Sequence, residues 1–187
     1  EYSVTVSNAF GVEVSSNATL SVSPLVAWGC SDICPPQVPI DGFDVVALAA
    51  GDGHALALRS DGTVVAWGKN DLGQADVPSD LTSVVQIAAS GALSVALCAD
   101  GKVRTWGISS NVPPDVRNIV NISGGLVALK GSGEVVSWAP YGNRVREWSL
   151  GFRDIVSVAS GLALRRNGQI VAWDPMTGER LEVPAEV

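Results

Sequence analysis

The chain has 187 residues, 47% of them hydrophobic and 17% charged, enough apolar material for a packed core and too much for global disorder. Its formal charge of −7 opposes a phosphate-binding surface, and no local cluster of Lys and Arg reverses that balance, so nucleic acid is not an expected partner. The apolar run from Val45 ends at Gly51, far short of the roughly 18 residues that span a bilayer, so no membrane insertion is expected.

Residues 1–23 alternate polar and apolar on both sides of a turn containing Asn8 and Gly11, which predicts two strands. With Tyr2 placed like a tyrosine-corner residue, the stretch resembles the last two strands of a bacterial immunoglobulin-like domain. Val4 stands where antibody-type domains carry a cysteine, so the resemblance implies a disulfide-free variant. Two strands do not fold alone. The chain, opening in mid-pattern at Glu1 with no leader, reads as a fragment of a longer protein.

Cys30 and Cys34 stand four apart, a spacing that admits a short disulfide in an exported protein although so small a loop is often strained; free thiols are the alternative. No second Cys or His pair completes a four-coordinate metal site, and Cys98 reads as a small buried hydrophobe.

From residue 24 a tandem repeat takes over. Trp28, Trp67, Trp106, Trp138 and Trp173 are separated by 39, 39, 32 and 35 residues. Each of the last four follows by five residues a glycine: Gly62, Gly101, Gly133 or Gly168. Each glycine follows by four a leucine: Leu58, Leu97, Leu129 or Leu164. The segment His54 to Gly68 therefore reads as a β-hairpin, with Asp61-Gly62 expected to form a two-residue type I′ turn. A further strand precedes each hairpin, beginning at Val45, Val84, Ile119 and Ile155, and a connector follows it, marked by Val38-Pro39, Val77-Pro78, Val112-Pro113 and Val183-Pro184. In one repeat Trp148 and Ser149 take the connector's Val-Pro place.

Within the hairpin, Leu56 and Leu58 share one face and Ala55 and Ala57 the other. Both faces are apolar, so each is expected to lie against another sheet. Small sheets stacked radially with a period of 30 to 40 residues make a β-propeller.

The segment VVALAAGDGHALALRSDGTVVAWGKNDLGQ, residues 45–74, resembles the repeat of the regulator of chromosome condensation family, and more closely the short repeats of a secreted bacterial β-lactamase inhibitor protein. The resemblance covers residues 24–187, weakening after the second full repeat, where His54 and the Asn70 to Gln74 segment lose their counterparts. It implies an all-β fold: a partial propeller of about four blades out of a usual seven, behind a two-strand immunoglobulin-like remnant at 1–23. The missing blades would belong to the parent chain, and apolar end sheets would make the isolated piece associate or only marginally stable.

No catalytic pattern stands out. His54 is the sole histidine and reads as a hydrogen-bonded residue at a strand start, because a catalytic base needs a positioned nucleophile and an orienting group. Gly51-Asp52-Gly53 lacks the following helix of a dinucleotide site. Asp41, Asp44, Asp52, Asp71, Asp76 and Asp80 lack the spacing of a calcium loop and read as solvated turn carboxylates. The tryptophans, one per repeat, read as packing between blades, and no cofactor is expected.

The expected function is a non-enzymatic protein-interaction or scaffold module of a secreted or cell-surface multidomain bacterial protein, with an unidentified protein or glycan partner. Its candidate contact residues are Lys69, Asn70, Asp71, Gln74, Tyr141, Arg144, Arg146 and Trp148, which lie in connectors or break the repeat with aromatic and arginine side chains. The resemblance implies two alternatives, an inhibitor of β-lactamase-type enzymes acting through rim loops and a guanine-nucleotide exchange factor-like regulator. Against the latter, the short repeats leave no long insertion to displace a nucleotide.

Overall fold

The computed structural model describes residues 5–8, 11–14, 44–108, 112, 116–124, 127–141, 144–149, 151–159, 161–174, 177 and 179–183, with backbone alone at 5–14 and 138–149. Cys30, Cys34, Tyr2 and Trp28 lie outside the described residues. At the N-terminus β1 (Thr5–Asn8) and β2 (Gly11–Val14) form the expected hairpin, closing at Asn8 opposite Gly11.

The repeats form four antiparallel sheets, and among the described residues every element is a strand. The first sheet is β3 (Val45–Ala50), β4 (His54–Arg59) and β5 (Val64–Gly68). The second is β6 (Val84–Ser90), β7 (Leu93–Cys98) and β8 (Val103–Gly107). The third adds a fourth strand to β9 (Ile119–Ser123), β10 (Val127–Lys130) and β11 (Val135–Tyr141), namely β12 (Arg144–Ser149). The fourth comprises β13 (Ile155–Ala159), β14 (Leu162–Arg165), β15 (Ile170–Trp173) and β16 (Arg180–Leu181). In every sheet the strands lie in sequence order.

The turn chemistry differs from the expected type I′. Arg59 N donates to Thr63 O at 2.9 Å and Gly62 N to Arg59 O at 3.0 Å, so the loop has three residues: a type I turn followed by one glycine at φ 82°. The same bonds recur at Cys98–Lys102, Lys130–Glu134 and Arg165–Gln169, with Gly101, Gly133 and Gly168 at φ 77°, 80° and 87°. Only the glycine needs the left-handed region. Asp61 instead turns its carboxylate inward to accept from Thr63 N and Oγ1, which holds its pKa below the usual value.

The first strand of each sheet carries a one-residue bulge. Val45 pairs with Arg59 but Ala47 with Leu58, leaving Val46 as the extra residue; Val85, Val120 and Val156 hold the same place in the other sheets. All four bulged valines are exposed.

Consecutive sheets face one another, and each of the three hydrophobic cores is one such seam. Leu56 and Leu58 of the first sheet meet Val84, Ile87, Ala96 and Trp106 of the second. Val95, Leu97 and Val103 meet Ile119, Ile122, Ala128 and Val136; Val127, Leu129 and Val135 meet Ile155, Val158, Ala163 and Trp173. The large-and-small alternation of the sequence is the cause: leucine or valine of one central strand seats against alanine of the next. Trp106 and Trp173, 9% and 1% exposed, pack on the preceding sheet, as expected of inter-blade residues.

Each seam also has a backbone bond at its turn edge. Val84 N donates to Gly62 O at 3.1 Å, Ile119 N to Gly101 O at 3.2 Å and Ile155 N to Gly133 O at 3.4 Å. Between the second and third sheets Gln86 acts as a surrogate peptide group, its amide donating to Ile122 O and accepting from Ile122 N, both at 2.9 Å. First strands touch first strands from sheet to sheet, β3 to β6 to β9 to β13, so these strands line the axis of a β-propeller.

Candidate partner-binding rim

Strand direction assigns the loops to two rims. The turn glycines lie on one rim; the Gly51–Gly53 loop, the connector after β5 and the junction between β11 and β12 lie on the other. The second rim holds Lys69, Asn70 and Asp71 together with the Tyr141 and Arg144 end of the β11–β12 pair.

The connector from Lys69 to Asp76 is tied by its own side chains. Asn70 Oδ1 accepts from Ala75 N at 2.8 Å while Asn70 Nδ2 donates to Asp76 Oδ1 at 2.7 Å. Gln74 Oε1 accepts from Leu72 N at 2.9 Å. Gly73 N donates to Asn70 O at 3.2 Å and Asp76 N to Gly73 O at 3.1 Å. Asn70 and Gln74 thus build the loop. Gln74 is 1% exposed, so this candidate belongs to the interior and its side chain is turned away from any partner. The loop displays Lys69 and Asp71, joined by an ion pair at 3.3 Å, and directly after them Leu72, which is 53% exposed. In the second sheet Ile108, which follows Gly107 as Lys69 follows Gly68, is likewise exposed. Sequence reasoning missed both apolar residues, because an apolar side chain in a connector gives no sign by itself of whether it faces out; at Leu72 the loop is shaped by the bond from its N–H to Gln74 Oε1.

Gln74 is also the end of a buried chain of polar groups. Ser94 Oγ donates to Gln74 O at 2.7 Å, which commits its one proton. His54 Nε2 lies 2.9 Å from Ser94 Oγ and must therefore be the donor, leaving neutral imidazole with Nδ1 unprotonated. Nδ1 has no partner, and burial pushes the His54 pKa down, opposed by the nearby Asp52 charge. The imidazole is seated on Gly51, where any Cβ would collide with the ring and with Gly91 O. A histidine and a serine at this distance have the outline of a catalytic dyad, but the serine is wholly buried and its proton is already given away. The cluster joins sheet one, the rim loop and sheet two, as the structural reading of His54 expected.

Tyr141, Arg144, Arg146 and Trp148 do not lie in a connector. Arg144 to Ser149 is a strand, paired in register from Tyr141 opposite Arg144 to Val136 opposite Ser149. The cause is local: R-V-R-E-W-S carries no proline, and Gly142-Asn143 between the strands is a hairpin dipeptide. Arg144, Arg146 and Trp148 take alternate positions, opposite Tyr141, Ala139 and Ser137. Tyr141 and Arg144 fall at the same rim as the Lys69 loop, while Trp148 lies further down the sheet.

Four of the turn carboxylates have a partner of their own, and Asp41 lies outside the described residues. Asp44 faces Arg59, Asp71 faces Lys69, Asp76 accepts from Asn70 and Asp80 holds Arg104 through two bonds of 2.8 and 2.9 Å. The Arg104 bonds hold the Asp80 carboxyl below its usual range. Among the described residues no three His, Cys, Asp or Glu side chains converge on one point. On the turn rim a groove of about 320 Å³ is lined by Asp80, Cys98, Asp100, Lys102 and Arg104, and its charges are already paired, Lys102 with Asp100 at 2.6 Å. Burial pushes the Cys98 thiol pKa up, so it is a poor nucleophile at neutral pH.

Residues 45–74 match the family described as Regulator of chromosome condensation (RCC1) repeat. No curated protein matches the chain. Among solved structures the chain is similar to Prp20p from Saccharomyces cerevisiae, at 23% identity and a TM-score of 0.60 over 80% of this chain and 52% of that one. Human WBSCR16 aligns at 18% identity and a TM-score of 0.57, covering 75% of this chain and 50% of that one. The CRINKLY WD40 ectodomain of the Arabidopsis thaliana receptor kinase ACR4 aligns at 22% and 0.53, covering 79% and 57%. The likeness is one of fold, and the chain spans about half the length of these structures.

Proposed function

We propose that the chain is a non-enzymatic protein-binding scaffold whose contact surface is the rim formed by Lys69, Asp71, Leu72 and Ile108, continued by Tyr141 and Arg144. The observation that carries this reading is the connector from Lys69 to Asp76, held by five internal hydrogen bonds and anchored by a buried glutamine, yet displaying an exposed leucine directly after an ion-paired lysine and aspartate. A loop fixed in advance loses little conformational freedom on binding, which favours affinity. The deep position of His54 and Ser94 removes the one pair of groups with catalytic outline from reach of a substrate. For Prp20p, binding to Gsp1p and histones is described, so a protein partner fits the fold. An exported, multidomain bacterial parent, with 1–23 as the end of an immunoglobulin-like domain, completes the proposal and rests on sequence resemblance.

Capture with the intact parent protein tests it. A retained protein partner should be released by Leu72→Asp combined with Lys69→Glu and kept by Lys102→Glu on the opposite rim. Retention unaffected by the first pair, or small-substrate turnover with no partner retained, overturns it.

A further inference from the structure

Three residues on three separate segments are joined by one buried line of polar groups. His54 opens β4, Ser94 sits in β7 and Gln74 lies near the end of the rim connector, and all three are 3% exposed or less. Donation runs one way along the line, from His54 Nε2 to Ser94 Oγ at 2.9 Å and from Ser94 Oγ to Gln74 O at 2.7 Å. With His54 filling the accepting side of the hydroxyl, the single Ser94 proton stays on Gln74 O. Gln74 in turn holds Leu72 N through Oε1, and its backbone is seated on Gly107, where a Cβ would meet Gln74 Cα and Cβ at 3.1 Å.

The closed arrangement has no place for a second proton on the imidazole. Nδ1 is buried without a partner, and its side of the ring is closed by Gly51, where a Cβ would lie 2.7 Å from Nδ1 and 2.5 Å from Gly91 O. The loop between β3 and β4 brings one charge to the ring, that of Asp52, which favours the imidazolium. The connector brings Lys69, whose stem covers Gly53 and whose ammonium is paired with Asp71. The end of β5 and the second sheet bring uncharged residues, Gly68, Gly91, Ala92, Leu93 and Ser94. Burial outweighs the Asp52 charge, so the closed form favours the neutral ring.

We propose that this line is a pH switch of the rim: a proton taken up at His54 Nδ1 parts Nε2 from Ser94 Oγ and frees the Lys69 to Asp76 connector from the second sheet. A protonated ring gains a partner for Nδ1 by turning toward water or the Asp52 carboxylate, and that turn takes Nε2 off Ser94. The connector gives way because, among the described residues, the hydrogen bonds of Asn70 to Asp76 close within the loop except for the one from the Ser94 hydroxyl. Its effect on binding rests on the reading of this connector as the contact surface. The opened form takes up the proton near the ordinary histidine value of 6.5 and the closed form resists it, so opening grows as pH falls below 6.5.

Amide hydrogen exchange on the full chain tests this without any partner, read as protection factors so that the intrinsic pH dependence of exchange cancels. From pH 7.5 to 5.5 the Leu72, Gly73 and Ala75 amides should lose roughly three- to tenfold in protection, while Gly101 N, bonded to Cys98 O on the opposite rim, keeps its own. His54→Gln should abolish the loss. Should that variant disturb folding by near-UV circular dichroism, Ser94→Ala takes its place and should leave the three amides equally weakly protected at both pH values. Wild-type protection that does not change with pH, an equal loss at Gly101, or a loss that persists in the variant each overturn the proposal. Partner capture at pH 7.5 reports separately on the contact surface: loop amides that respond to pH while no partner is retained uphold the switch in the loop and overturn only the reading of the rim.

Discussion

The leucine four residues before each turn glycine occurs in all four sheets, so one substitution can be compared at matched positions. Leu97 is 2% exposed inside a seam, and Leu164 is 39% exposed on an open face. Replacing Leu97 with Ala removes a buried side chain from a closed core and leaves a cavity, a loss of about 3 kcal/mol within the usual range of roughly 2–5. At Leu164 no cavity is enclosed and only the buried part of the side chain gives up transfer free energy, about 1 kcal/mol. With a urea m-value of about 1–3 kcal/mol/M, the Leu97→Ala midpoint should fall by at least 1 M and the Leu164→Ala midpoint by roughly a third of that. Equilibrium unfolding followed by tryptophan fluorescence measures both. Equal losses at the two positions would refute the assignment of Leu97 to a seam and of Leu164 to an exposed sheet face.

Stability should decline as pH falls below about 6.5, the ordinary histidine value, because the folded state holds His54 neutral while the unfolded chain takes up a proton. His54→Gln should flatten thermal melts between pH 5 and 6.5, a window distinct from the carboxylate transitions near pH 4, and an unchanged slope would contradict the buried neutral imidazole. Gln86→Ala leaves both polar groups of the Ile122 peptide without their partner and should cost about 1–3 kcal/mol, read by the same urea titration; a loss under half a kcal/mol would show that the surrogate peptide contact is not made. Gly133→Ala and Gly168→Ala both force alanine into the left-handed region at about 1 kcal/mol, but the first also drives a methyl into Arg153 O, so it should destabilise markedly more in thermal melts. Equal effects would remove the close approach at Gly133. Cys98 should resist alkylation at pH 8 until the chain is unfolded, as followed by peptide mass mapping, and rapid labelling of the native protein would contradict its raised pKa.

The parts of this fold that sequence conveys are those set by side-chain size in a period of two. Leu-Ala-Leu or Val-Ala-Leu in the central strands, the glycine four residues later and the tryptophan five beyond it mark the seams in the sequence itself. What sequence does not convey is where the backbone adds or redirects a single residue. Val45-Val46 and Val84-Val85 are chemically uniform pairs, so nothing in them tells which valine is the bulge. Asp61-Gly62 fits both a two-residue and a three-residue loop, and the choice is made by whether the aspartate's carboxylate can reach Thr63. Gln74 and Gln86 look alike as polar residues, yet Gln74 folds back onto Leu72 of its own loop while Gln86 reaches a backbone group that only the assembled sheets bring near. The candidate rim was legible as a connector rich in charge; which of its side chains face outward was not.

The central claim is that Trp106 and Trp173 each pack on the sheet before their own, so that one repeated unit fans around an axis. Nuclear Overhauser contacts from the indole protons of Trp106 and Trp173 test it directly. The account predicts contacts from Trp106 to the methyl groups of Leu56 and Leu58, and from Trp173 to those of Val127 and Leu129. Indole contacts confined to each tryptophan's own sheet, with none to the preceding one, would contradict it.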